Sequence, residues 1–155
     1  MRKTSGKKPT RRLTKADYET LAHFRYQLRL FLRFSEEVTR RKGITVLQYL
    51  LLLQIRGFPG RAWATVGELA ERLQAKQHGV VSLISRCEAA GLVRRGASAD
   101  DRRRVEITLT GKGERCLEEL AALHRTELLS LQGERAPELS AFLLNRLPGN
   151  RKAGT

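Results

Sequence analysis

The chain has 155 residues, with 30 Lys plus Arg against 16 Asp plus Glu, so its formal net charge is +14. Its 41% hydrophobic and 30% charged content is that of a single soluble globular domain, and so strong a basic excess favours a polyanionic partner, of which nucleic acid is the commonest in a cytoplasm. The two cysteines, Cys87 and Cys116, exclude a disulfide scaffold and fit a reducing cytoplasm, and the longest apolar run, Tyr49 to Leu53, is far short of the ~20 residues of a bilayer span.

Residues 1–13 read as a basic disordered arm. Positions 1–15 carry Arg2, Lys3, Lys7, Lys8, Arg11, Arg12 and Lys15 with no acid, which is half of the net charge. Two readings stay open for this arm, a solubilising tail and a non-specific phosphate-binding segment; it lacks the apolar stretch of a secretory signal. From Thr14 to about Arg41 the residues Leu21, Phe24, Leu28, Phe31, Leu32, Ser35 and Val38 recur at three- and four-residue steps, the stripe of an amphipathic helix capped by Thr14 and ended by Gly43. Thr45 followed by Gln48 is a capping-box signal for a second helix, Val46 to about Ile55, apolar on almost every side and therefore expected in the middle of the fold. Pro59 and Gly60 mark residues 57–64 as a loop.

Thr65-Val66-Gly67-Glu68 is a second capping box, opening a short helix through Leu73. After a turn at residues 74–76, a further helix from Gln77 to about Ala90 places Val80, Leu83, Ile84 and Cys87 on its inner side, and Gly91 stops it. Two short helices joined by a tight turn make a candidate helix-turn-helix. The period then changes. Val105, Ile107 and Leu109 alternate with Arg104, Glu106 and Thr108, so with Leu92 to Arg95 they predict a β-hairpin whose long tip, Gly96 to Asp101, is built of turn residues. Thr110 is expected to cap a long helix with the stripe Cys116, Leu117, Leu120, Leu123, Leu128 and Leu131, broken at Gly133. Pro137 opens a last helix to about Leu147, and residues 148–155 read as a disordered tail.

This order of elements resembles the MarR family of winged helix-turn-helix transcriptional regulators. Gly-Glu-Leu-Ala-Glu-Arg-Leu (Gly67 to Leu73) is similar to the first helix of the family's motif, and Val80 to Val93 to its recognition helix and exit. Asp101, Arg103, Leu109 and Thr110 match the wing signature Asp-x-Arg-(x)5-Leu-Thr. The turn before the recognition helix departs from the pattern, with Lys76, Gln77, His78 and Gly79 where small hydroxyl residues are common, and Cys87 replaces the usual Leu.

The resemblance implies a mainly α fold with a small β-hairpin wing. A single domain would run over 14–147, with a DNA-binding lobe at about 45–110 and dimerisation helices at about 14–41 and 111–147. It also implies a cytoplasmic homodimer on a pseudo-palindromic operator, acting as a ligand-responsive repressor, with its recognition helices about one DNA turn apart. On the recognition helix the outward candidates are Gln77, His78, Ser82 and Arg86, with Lys76 and Arg72 holding the phosphate backbone; Arg86 and His78 are open between base and phosphate contacts. At the wing Arg103 would enter the minor groove, Asp101 would hold a wing arginine, and Arg94, Arg95, Arg102 and Arg104 are phosphate candidates. Family members accept a small aromatic or anionic effector, for which His23, Tyr26, Tyr49 and Trp63 are the only lining candidates, against the plainer reading of all four as core or surface residues. No cofactor or metal is expected, since the three histidines are scattered and no Gly-rich loop, Cys-x-x-Cys or Gly-x-Ser-x-Gly is present, and the chain is not expected to be an enzyme. The alternative is a basic RNA- or ribosome-associated winged helix, which would display aromatic platforms; here the chain is only 6% aromatic.

Overall fold

The computed structural model describes residues 12–135. The arm up to residue 11, the helix expected from Pro137 and the C-terminal tail lie outside the described residues. The element order is α1 (Lys15–Arg41), α2 (Val46–Arg56), β1 (Trp63–Ala64), α3 (Val66–Leu73), α4 (Gln77–Ala89), β2 (Val93–Ala97), β3 (Val105–Leu109) and α5 (Gly111–Arg135).

Local chemistry explains most of these boundaries. The first four N–H groups of a helix lack partners within it, and a Thr three residues before an acid or amide supplies them. Reciprocal capping boxes form at Thr14/Asp17, Thr45/Gln48 and Thr65/Glu68. Gly91, at φ +72°, turns the chain out of α4 in a left-handed conformation that costs glycine nothing. Gln74 makes the turn between α3 and α4 in the same region (φ 51°) without being glycine, and its side-chain amide donates to the Glu71 carbonyl at 2.6 Å.

α2 touches α1, α3, α4, α5, β1 and β3 and so occupies the centre. Its Leu51, Leu52 and Ile55 are fully buried with Leu69, Ile84, Cys87 and Ile107. It is not enclosed on every side, however: Leu47 is 52% exposed and Leu53 36%. The sheet has the order β1-β3-β2, antiparallel throughout, with Trp63 opposite Thr108 and Val93 opposite Leu109.

Three expectations need correction. The segment read as a loop at 57–64 ends in a strand, β1, whose two residues are too few to show any period. Gly96 and Ala97 belong to β2 and pair with Glu106 and Val105, so the hairpin tip is shorter than its turn-forming residues suggest. Gly133 does not break the last described helix, since one glycine costs only about 1 kcal/mol against alanine and α5 has 25 residues.

α5 is tied to the lobe by its first turn. Thr110 N–H donates to the Leu92 carbonyl (3.0 Å), and Gly113 N–H donates to the Thr110 hydroxyl (3.1 Å). A Cβ on Gly113 would stand 2.0 Å from the Leu92 carbonyl oxygen, so only glycine lets the helix approach that closely. Farther along, His124 is buried between α1 and α2. Its Nδ1 lies 2.7 Å from the Leu120 carbonyl, and a carbonyl only accepts, so Nδ1 carries the proton and Nε2 faces the Ser35 hydroxyl at 2.8 Å. The ring stacks on Tyr49 at 4.3 Å between centroids and meets Phe31 and Phe34 edge-on.

Candidate nucleic-acid interface

α4 owes its inner face to Val80, Leu83, Ile84 and Cys87, all buried. The opposite face follows from the 3.6-residue period: Gln77, His78, Ser82 and Arg86 are exposed, and Lys76 stands at the N-cap without a side-chain cap bond. Val81 is 44% exposed beside them. It was missed as a candidate because an apolar residue in a helix reads as core, yet its place between His78 and Ser82 was the available signal. The Ser82 hydroxyl donates to the His78 carbonyl (3.2 Å), which leaves its oxygen free to accept.

Burial explains the one strongly shifted thiol. Desolvation pushes Cys87 up to about 11, against a hydrogen bond with Gln48 and the charge of Arg86 that lower it. Burial also raises Cys116.

The wing arginines divide into two sets. Arg95 is held: its guanidinium pairs with Glu88 and donates to the Ser85 hydroxyl (2.9 Å), which lashes β2 to α4. Arg94 Nε donates to the Thr108 hydroxyl at 3.2 Å. Arg104 donates to Ser98 Oγ (2.8 Å) and Glu106 Oε1 (3.4 Å). Arg102 and Arg103 are exposed at the tip, and their guanidinium groups make no hydrogen bond or ion pair with the described residues. The expectation that Asp101 holds a wing arginine side chain is corrected. Its Oδ1 accepts the backbone N–H of Arg103 (2.9 Å) and its carbonyl accepts that of Arg104 (2.9 Å), so the carboxylate shapes the turn and leaves the Arg103 guanidinium unpaired. Arg72, read as a backbone holder, donates to Gln54 Oε1 (3.2 Å) and lies over Phe58.

The four effector candidates do not converge. His23 and Tyr26 are exposed on α1, Tyr49 is buried against His124, and Trp63 is half-buried in β1 beneath Arg61 and Arg104. No group of His, Cys, Asp or Glu among the described residues could hold a metal ion, and no described helix is long and apolar enough to cross a membrane.

The helix-turn-helix with a β-hairpin beside it can be set against known proteins. The sequence model of the MarR family matches residues 42–104, from the α1–α2 turn to the base of β3. Over this region, less than half of its length, the chain is similar to the MarR family. Over 86 residues the chain is 29% identical to the HTH-type transcriptional repressor MdtR of Bacillus subtilis (strain 168), an alignment covering 56% of this chain and 54% of MdtR. The chain thus spans about half the length of that curated relative. AbsC, a MarR family transcriptional regulator from Streptomyces coelicolor, superposes with a TM-score of 0.70 at 25% identity, covering 90% of this chain and 94% of AbsC. A mutant of S. aureus MepR bound to an oligodeoxyribonucleotide shares the fold with a TM-score of 0.58 at 23% identity, covering 83% and 91%.

Proposed function

We propose that this chain is a sequence-specific duplex-DNA-binding regulator, a repressor in the sense of MdtR, working as a homodimer on a pseudo-palindromic site. The observation that carries this reading is the pairing of two unpartnered arginines, Arg102 and Arg103, with the open face of α4. In a protein with a large basic excess, cations held by internal carboxylates are already satisfied, and those left free at a protruding tip are available to phosphates or a minor groove. The outer face of α4 offers the side-chain types that distinguish base pairs in a major groove: Gln77 suits adenine, Arg86 guanine, and Val81 a thymine methyl. The oligonucleotide on MepR is the same class of partner on the same fold.

Dimerisation is supported by the apolar residues that α1 and α5 leave uncovered, including Leu21 (53% exposed), Leu32 (48%), Leu123 (48%) and Leu129 (53%). A soluble protein seldom leaves such a row in water. A two-fold axis through these helices would present two α4 helices to one face of a duplex.

An RNA- or single-strand-binding reading has less support. Single-strand readers stack bases on exposed aromatic rings. Among the described residues the ring that a wing arginine lies over is Trp63, and Arg61 and Arg104 already cover it. Selecting bound sites from random duplex DNA tests the proposal. An enriched inverted repeat with half-site centres about 10 bp or a multiple apart is expected; no enrichment over random sequence, or preference for single strands, would refute it.

A further inference from the structure

The base of the wing is attached to the helix-turn-helix by more than the sheet. Trp63 sits on β1 opposite Thr108, and Ala64, the next residue, is buried opposite Ile107. Strand alternation therefore puts Trp63 on the sheet face away from the core, together with Thr108 and Glu106. Two guanidinium groups lie over its ring: that of Arg61, with its central carbon 3.7 Å from the ring centroid, and that of Arg104 at 4.8 Å. Arg61 also lies 4.1 Å over Phe58, and Arg72 of α3 lies 4.4 Å over the same ring. A ladder of cations and aromatic rings thus runs from α3, through the 57–64 segment, to the last residue before β3.

Both ends of the ladder are anchored. Arg61 pairs with Glu68, the carboxylate that caps α3 and accepts the Thr65 N–H at 2.8 Å. Burial works to raise the Glu68 pKa, but the hydrogen bonds from Thr65 and Arg61 hold it below the usual carboxylate value. At the other end Arg104 donates to the buried Ser98 hydroxyl, and Ser98 N–H donates back to the Arg104 carbonyl at 3.0 Å. Ser98 and Arg104 are the two points from which the tip, residues 99–103, departs. The Nε atoms of Arg61 and Arg104 are buried with no hydrogen-bond partner among the described residues, and the contact both guanidinium groups share is the indole. Cation–π attraction is at its strongest in such desolvated surroundings.

We propose that Trp63 is a positioning residue for the wing: by receiving Arg61 and Arg104 together, it fixes the angle at which the Arg102–Arg103 tip leaves α3 and α4. Groove insertion by α4 and the reach of Arg103 then occur in one register, without an ordering cost at the moment of binding. This inference rests on the duplex-binding reading for its consequence, though the brace itself is a property of the free protein.

Hydrogen exchange on the free protein and affinity for a selected duplex test the two parts separately. In Trp63→Leu, the amides of Ser98, Arg103 and Arg104 should exchange at least about tenfold faster while those of α4 keep their protection. Trp63→Phe, which keeps a ring face, should restore most of it. Arg104→Lys keeps the charge without the flat stack and should loosen the same amides even if Trp63→Leu folds poorly. On DNA, Trp63→Leu should weaken binding about tenfold, and adding Arg103→Ala to it should cost much less than Arg103→Ala costs alone. Unchanged exchange at the tip in both Trp63→Leu and Arg104→Lys would overturn the brace. Full additivity with Arg103→Ala would overturn its role in DNA binding. A wild-type protein that binds no duplex would instead refute the regulator reading, with the exchange result still deciding the brace.

Discussion

The lobe built from α2, α3, α4 and the sheet closes on itself, whereas the long helices do not. In the lobe, Leu51, Leu52, Ile55, Ala64, Leu69, Ile84, Cys87 and Ile107 are wholly shielded from water. On α1 and α5 apolar burial thins with distance from the lobe: Ser35, Val38 and Thr39 are covered, and Gln27 farther out, but Leu21 and Tyr26 are more than half exposed, and beyond His124 so is Leu129. The same stripe of apolar residues is therefore core at one end and open surface at the other. Under the proposed function this difference gives the two regions different tasks. A lobe with a finished core can hold α4 and the wing to fixed positions, while the open ends of the helices have surface left for a second copy. His124 marks the border, pinning α5 to Ser35 of α1 and Tyr49 of α2 across 89 and 75 residues of sequence.

Breaking the open end without touching the finished one should give the largest effect. Leu21→Glu combined with Leu129→Glu places charges on residues already exposed in the protomer, so the fold should persist while sedimentation reports a monomer. Affinity for a two-half-site duplex should fall by about 100-fold or more, because the second half-site is no longer bound intramolecularly. A variant that stays dimeric and binds normally would place the interface elsewhere.

Next in size is the seam between the regions. Gly113→Ala drives a methyl group against the Leu92 carbonyl oxygen, a backbone atom that cannot swing aside. A loss of about 3 kcal/mol is expected in denaturant unfolding. A loss within about 0.5 kcal/mol, the range of ordinary surface changes, would mean that α5 does not approach the lobe so closely.

The smallest effect probes the lobe's core. Because burial raises the Cys87 pKa from its ordinary 9.0 to about 11, the folded state favours the neutral thiol. The stabilisation is complete below pH 9 and is lost as the pH climbs from about 9 through 11, where the unfolded chain gains by ionising and the folded one does not. Native protein at pH 8 should therefore resist alkylation at Cys87, as read by mass spectrometry, and unfolding free energy should decline over that alkaline window. Rapid labelling of Cys87 in the native protein would show the lobe's core to be open.

Local signals carried much of this in the sequence. The Thr14 cap, the capping boxes at Thr45 and Thr65 and the α4 stripe depend on neighbours within one or two helical turns, and β3 shows its alternation in five residues. What escaped depends on partners remote in sequence. β1 has two residues and exists because β3 pairs with it. The His124 contacts and the Gly113–Leu92 approach have no periodic trace. A run of arginines shows charge but not which members are spent internally: Glu88 claims Arg95, Ser98 and Trp63 claim Arg104, and Asp101 turns out to serve the backbone. The candidate site was thus visible as a region, and its division into free and engaged cations only in three dimensions.

Fluorescence anisotropy of a labelled, selected duplex at fixed salt, comparing wild type with Arg103→Ala, tests the central claim most directly. The account predicts at least a tenfold loss of affinity, the value of about 1.4 kcal/mol, and a shallower salt dependence, since each phosphate contact contributes about −0.9 to the log–log slope. Equal affinity and an equal slope for the two proteins would contradict it.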